Sequence, residues 1–98
     1  MCGAPVQDLS LEGIDVATET VIQGTVTRDG QPEGGAYVRL LDSSGEFTAE
    51  VVTSATGAFR FFARPGSWTL RALASGNKTA DAKVEAQQGS VTEAAIAL

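Results

Sequence analysis

The chain has 98 residues, of which 43% are hydrophobic and 19% charged, the composition of one small folded domain. It contains no histidine and one cysteine, which excludes Ser-His-Asp triads, Cys-His pairs, His-containing metal sites, internal disulfides and Cys₄ zinc sites. Seven basic residues against twelve acidic ones, a net charge of −5, argue against a nucleic-acid binder.

Residues 1–19 carry Asp8, Glu12, Asp15 and Glu19 and no Lys or Arg. With Gly3, Pro5 and Gly13 and no sustained period, this segment reads as an irregular acidic arm. Leu9, Leu11, Ile14 and Val16 are the side chains with which it would pin itself to the body. From Thr20 the pattern is β. In Thr20 to Arg28, Ile22, Gly24 and Val26 share one face, and Gln23, Thr25 and Thr27 the other. Residues 29–35, DGQPEGG, form a turn. Ala36, Val38 and Leu40 then alternate with Tyr37, Arg39 and Leu41. After a turn at 42–45, Phe47, Ala49 and Val51 alternate with Thr48, Glu50 and Val52. A turn at 54–57 precedes Phe59 and Phe61, which alternate with Arg60 and Phe62. Arg64-Pro65-Gly66 leads into Trp68, Leu70 and Ala72, opposed by Thr69, Arg71 and Leu73. Ser75 to Lys78 reads as a polar loop. Asp81–Ala86 and Val91–Leu98 complete seven strands, with Gly89 between the last two. Seven short strands at this spacing predict a β-sandwich. Its thin core is expected to rest on Phe47, Phe59, Phe61, Trp68 and Leu70.

No apolar run is long enough to span a membrane. The N-terminus lacks a basic segment followed by an apolar core, so a cytoplasmic location is expected, which suits a lone thiol. Only Met1 precedes Cys2, so a lipoprotein signal is not expected, and without secretion Asn77-Lys78-Thr79 is expected to be a chance match to the glycosylation triplet.

Several motifs resemble the carboxypeptidase regulatory-like domain of the prealbumin-like sandwiches. They are Gly24 with Val26, Gly30 with Pro32, Gly35-Ala36 with Val38 and Leu40, Gly57 with Phe59 and Phe61, and Pro65-Gly66 with Trp68 and Leu70. The resemblance covers residues 20–98 and implies a seven-stranded prealbumin-like sandwich with no catalytic motif. The departures are Trp68 where tyrosine is usual, and Ala55-Thr56 where an acidic turn residue is common. The whole chain is also similar to a family of short actinobacterial proteins of unknown function. That similarity is carried by Met1-Cys2-Gly3-Ala4-Pro5 and by residues 46–57 and 59–73. Members of that family are often encoded beside a thiosulfate sulfurtransferase, which implies a link to sulfur transfer and supplies no established catalytic residue.

Two candidate sites follow. Cys2 is the one residue with distinctive chemistry, because a thiolate can accept sulfane sulfur as a persulfide. The opposing reading is a plain thiol on a frayed terminus, and the acidic arm would raise its pKa. The second candidate is the outward face holding Tyr37, Arg39, Leu41, Arg71 and Leu73. The prealbumin-like topology would make its two strands neighbours. Arg and Tyr are common at interface cores. A partner protein, a second copy of the chain, the arm itself or solvent are the alternatives for what meets it. Trp68 alternates with Leu70 and Ala72 toward the core, which disfavours a sugar-stacking platform. The scattered acids have no metal-binding or acid–base spacing, and no cofactor is expected. The reading is a small non-enzymatic accessory protein whose partner is a thiosulfate sulfurtransferase, with Cys2 as sulfur acceptor. The alternatives are a structural or assembly module in which Cys2 has no role, and a ligand- or carbohydrate-binding module.

Overall fold

The computed structural model describes residues 19–98. The strands are β1 Thr20–Arg28, β2 Gln31–Pro32, β3 Tyr37–Leu41, β4 Phe47–Val52, β5 Ala58–Phe62, β6 Gly66–Ala74, β7 Lys78–Ala86 and β8 Ser90–Ala97. A short 3₁₀ turn, Ser75–Asn77, joins β6 to β7. Among the described residues there is no α-helix.

The strands form a two-sheet sandwich. In the first sheet β1 pairs antiparallel with β5 and with the two-residue β2, while β8 pairs parallel with β1. The second sheet has the order β4-β3-β6-β7, all antiparallel. The turns follow local chemistry. Asp29 and Gly30 have φ of 54° and 80°. Positive φ at both central residues is what a tight hairpin between right-twisted strands requires. Gly57, at φ 76°, closes the β4–β5 turn where an added Cβ would collide with the Val26 carbonyl. Gly24 holds a second close approach, since a Cβ there would run into the backbone of Ala94 in β8.

The inner faces meet in one core containing Ile22, Val26, Val38, Leu40, Phe59, Phe61, Trp68, Leu70, Ala72 and Ile96. The Phe59 and Phe61 rings lie 6.2 Å apart and tilted, within the range of favourable aromatic pairs. Thr53 is buried with its hydrogen bonds made: Oγ1 donates to the Glu33 carbonyl at 2.7 Å and accepts from the Ala36 amide at 2.9 Å. Arg28 donates to the Glu33 carboxylate at 3.2 Å and to the Ser75 carbonyl at 3.1 Å. It thereby ties the β1–β2 end of one sheet to the β6–β7 turn of the other.

The two-sheet architecture agrees with the alternation in the sequence, with three differences in detail. Gln31-Pro32, expected inside a turn, forms an eighth, two-residue strand. β7 begins at Lys78 rather than Asp81, because Ser75–Asn77 alone suffices for the turn. Phe47 is not in the core; it is 61% exposed. A bulge between Leu40 and Leu41 skips Thr48, so Leu40 pairs with Ala49 but Leu41 with Phe47. The extra residue turns Phe47 onto the outer face that Leu41 shares.

Candidate functional site

The register of the second sheet brings β3 and β6 side by side, pairing Tyr37 with Leu73, Arg39 with Arg71 and Leu41 with Thr69. Extended through β4 and β7, these pairs give three rows across the outer face. One row runs Val52–Tyr37–Leu73–Thr79, the next Glu50–Arg39–Arg71–Asp81, and the third Phe47–Leu41–Thr69–Lys83. The five residues singled out from the sequence therefore lie on one face. Val52, Glu50, Asp81 and Phe47 join them. Val52 and Glu50 were legible as the outward set of their strand. Phe47 was not, because a bulge leaves no signal in the alternation.

Tyr37 is 50% exposed and Val52 40%, and Leu73 beside Tyr37 is half-buried. Leu41 departs from the expectation of an open apolar face: it is buried, set into the bulge opposite Phe47. The apolar part of the face is thus two exposed spots, Tyr37–Val52–Leu73 and Phe47, on either side of the charged row.

In that row each guanidinium turns away from the other toward an acid on its outer side. Arg39 Nε donates to Glu50 Oε2 at 2.7 Å. Arg71 donates through Nε and Nη2 to both oxygens of Asp81, at 2.9 and 3.0 Å, the bidentate geometry that a guanidinium offers a carboxylate. That hydrogen bonding, helped by the opposite charge, raises the Arg71 pKa and holds Asp81 below the usual carboxylate value of 3.8. Both ion pairs are solvent-accessible, so they orient the arginines more than they stabilise the fold. The row carries two positive and two negative charges on a chain of net −5, which leaves this face less acidic than the chain as a whole.

Trp68 is 6% exposed and packs in the core, with Nε1 donating to the Arg64 carbonyl at 2.8 Å. It borders two depressions shared with Ser43 and Ser67, but with so little of its surface accessible it offers no flat aromatic platform for a sugar. Nearby, Asp42 Oδ1 accepts from the Ser44 amide, the Ser44 hydroxyl and the Glu46 amide at 2.7 to 3.0 Å. These bonds lower its pKa and close the β3–β4 turn. Among the described residues no cluster of three or more Cys, Asp or Glu side chains is placed to hold a metal ion. No helix among them is long and apolar enough to cross a membrane. Cys2 and the arm as cover for the outer face lie outside the described residues.

The sandwich is similar to several solved structures. It superposes on part of the major pilin subunit BcpA of Bacillus cereus with a TM-score of 0.63 and 13% identity, covering 82% of this chain but 29% of the pilin. A DUF3823 family protein from Parabacteroides merdae gives 0.61 and 19% identity, over 83% of this chain and 46% of that one. The dioxygenase domain of a Streptomyces dioxygenase–carbohydrate-binding fusion gives 0.64 and 13% identity, over all of this chain and 91% of that domain. At these identities the likeness carries the fold alone. Sequence relatives are far closer. The Mycobacterium tuberculosis proteins Rv0814c and Rv3118 are each 68% identical over 80 residues, covering 79% of this chain and 80% of the relative. A Mycolicibacterium smegmatis protein is 67% identical over 64 residues, covering 64% of this chain and 71% of that protein. With its residues 2–98 matching the family pattern throughout, the chain belongs to DUF1416, a family of proteins of unknown function.

Proposed function

We propose that this chain is a small non-enzymatic protein-binding module that engages its partner through the outer face of β3 and β6. The observation that carries the reading is the half-exposed Tyr37, set between Val52 and Leu73 and beside two arginines already oriented by their acids. A large amphipathic ring and fixed guanidinium groups are the side chains that anchor protein interfaces. The likeness to a dioxygenase domain brings no activity with it, because a fold of this kind hosts unrelated functions.

The partner class we propose is a thiosulfate sulfurtransferase in the cytoplasm, with Cys2 as the sulfur acceptor. Support for this comes from the resemblance carried by Met1–Pro5 and residues 46–57 and 59–73. In the transfer step the Cys2 thiolate attacks the outer sulfur of the partner's persulfide. The partner's S–S bond breaks, its cysteine leaves as thiolate, and Cys2 keeps the persulfide. The test mixes the full chain with a persulfide-loaded sulfurtransferase. A gain of about 32 Da, one sulfur atom, is expected by intact mass for wild type and none for Cys2→Ser. Binding measured by calorimetry should be lost in Tyr37→Ala/Leu73→Ser and kept in Cys2→Ser. Binding without sulfur uptake leaves a binding module in which Cys2 has no role. Absence of both removes the sulfurtransferase as partner.

A further inference from the structure

Besides the two-residue β2, the sandwich has four edge strands, and three of them carry features that discourage pairing with another chain. β4 is broken from its neighbour's register by the bulge at Leu40/Leu41. β5 is five residues long with Arg60 at its centre. β7 presents Lys78, Asp81, Lys83 and Glu85. β8 differs from all three. It runs eight residues, Ser90–Ala97, in unbroken register with β1 and has no Lys, Arg, Pro or bulge. Its outward side chains are Val91, Glu93, Ala95 and Ala97, of which one is charged. Among the described residues it has no second strand partner.

The backbone direction of that edge is fixed. The Leu98 amide donates to the Thr27 carbonyl at 2.8 Å, and in a parallel ladder alternate residues bond to the same neighbour. Thr92, Ala94 and Ile96 therefore bond to β1. Val91, Glu93, Ala95 and Ala97 present their N–H and C=O groups away from it.

We propose that β8 is a self-pairing edge: two copies of the chain join through antiparallel β8 strands, with Val91 opposite Ala97 and Glu93 opposite Ala95 of the second copy. This register uses all four outward residues of each strand. It sets each Glu93 against an alanine rather than against the other Glu93, and the small side chains at 95 and 97 leave room for the partner strand. A second copy suits the edge better than the chain's own residues 1–19, whose four acids and absent bases would meet Glu93 as like charges. Gln23 Nε2 already donates to Glu93 Oε1 at 3.0 Å, which holds that carboxylate over its own sheet and away from the seam. The inference is independent of the β3–β6 face.

The experiment is amide hydrogen exchange on the full chain, read residue by residue by NMR at about 1 mM and about 10 µM, because self-association follows mass action. The expected result is protection at Val91, Glu93, Ala95 and Ala97 at the higher concentration that falls at least about tenfold on dilution, while Thr92, Ala94 and Ile96 stay protected. Ala95→Pro should abolish the concentration dependence, since it removes an outward N–H and leaves the bonds to β1 intact. If that variant does not fold, Ala97→Lys tests the same edge through charge. Tyr37→Ala/Leu73→Ser should leave the dependence unchanged. Protection at the four residues independent of concentration would show the chain's own arm on the edge, and no protection at either concentration would show an open one. Each of these overturns the proposal.

Discussion

The two central strands, β1 and β3, are treated differently by the same fold. From Tyr37 to Leu40, before the bulge, β3 follows the simple rule of a sheet with one wet face: Val38 and Leu40 are buried, while Tyr37 and Arg39 are exposed. β1 is buried on both faces. Ile22 and Val26 point into the core, yet outward-facing Val21 and Gln23 are just as inaccessible. Val21 lies between Val91 and Phe62, and Gln23 between Glu93 and Arg60. The Gln23 amide is spent on both neighbours, accepting from Arg60 Nε at 2.8 Å and donating to Glu93. A strand's place in the sheet, and what flanks it, thus decides how much each outward position matters. β1 holds the structure, and β3 leaves its outer face free for contact.

The largest expected effect breaks β1 itself. Gly24→Ala forces a methyl group into the Ala94 backbone, which must shift as a unit. A loss of more than about 3 kcal/mol, at or beyond the upper end for overpacking, is expected in urea denaturation. If Gly24→Ala unfolds at the wild-type midpoint, β1 and β8 are not packed as described. Trp68→Ala should cost roughly 3–5 kcal/mol, a transfer-plus-cavity loss, and the wild-type tryptophan emission should be blue-shifted. A maximum typical of water-exposed indole would contradict its burial.

A matched pair sharpens the contrast between the strands. Val21→Ser should destabilise by about 2 kcal/mol, because it strips a fully buried side chain and buries a hydroxyl. Tyr37→Ser should stay within about 0.5 kcal/mol, as surface changes do. Equal losses in thermal melts would show that β3 is covered as fully as β1. The smallest effect is electrostatic. Asp81 and Asp42 both have depressed pKa values in the fold. Their contribution is complete above the unfolded value of 3.8 and is lost as pH falls through the lower folded values. Asp81→Asn should therefore flatten the acid limb of stability below about pH 4 slightly, with a smaller difference in high salt, because the pair is exposed. Above about pH 6 the two curves should run parallel, offset by a constant amount, and a difference in slope there would contradict that assignment.

Much of this was legible in the chain. β-branched residues marked β1, period-two alternation marked β3 and β6, and Asp29-Gly30 and Arg64-Pro65-Gly66 marked turns beside them. The inward positions of Phe59, Phe61, Trp68 and Leu70 followed from period two alone. The outer face of β3 and β6 was legible only because a resemblance placed those strands side by side, since alternation gives faces but not neighbours. Three features were hidden for physical reasons. The bulge that exposes Phe47 depends on cross-strand register. The burial of Val21 and Gln23 depends on side chains of two other strands. The bare edge of β8 depends on which strands end each sheet.

The β1–β8 pairing also sets an order of events. The second sheet is built largely from short-range hairpins, β3 with β4 and β6 with β7, which close over a few residues. The first sheet joins residues 20–27 to 90–97, some 70 positions apart. Such distant contacts pay their loop-closure entropy before any bonding returns it, and they slow folding. During synthesis β1 emerges first and can pair with β5 midway, but its other side must wait for the last strand. Until then the core-facing Ile22 and Val26 lack the cover of Ile96, and one whole side of β1 has open amides. The interval between the emergence of β5 and the arrival of β8 is when the chain is most exposed to aggregation. A substitution that weakens β8 would lower the yield of folded protein by lengthening that interval, even where the finished sandwich tolerates it.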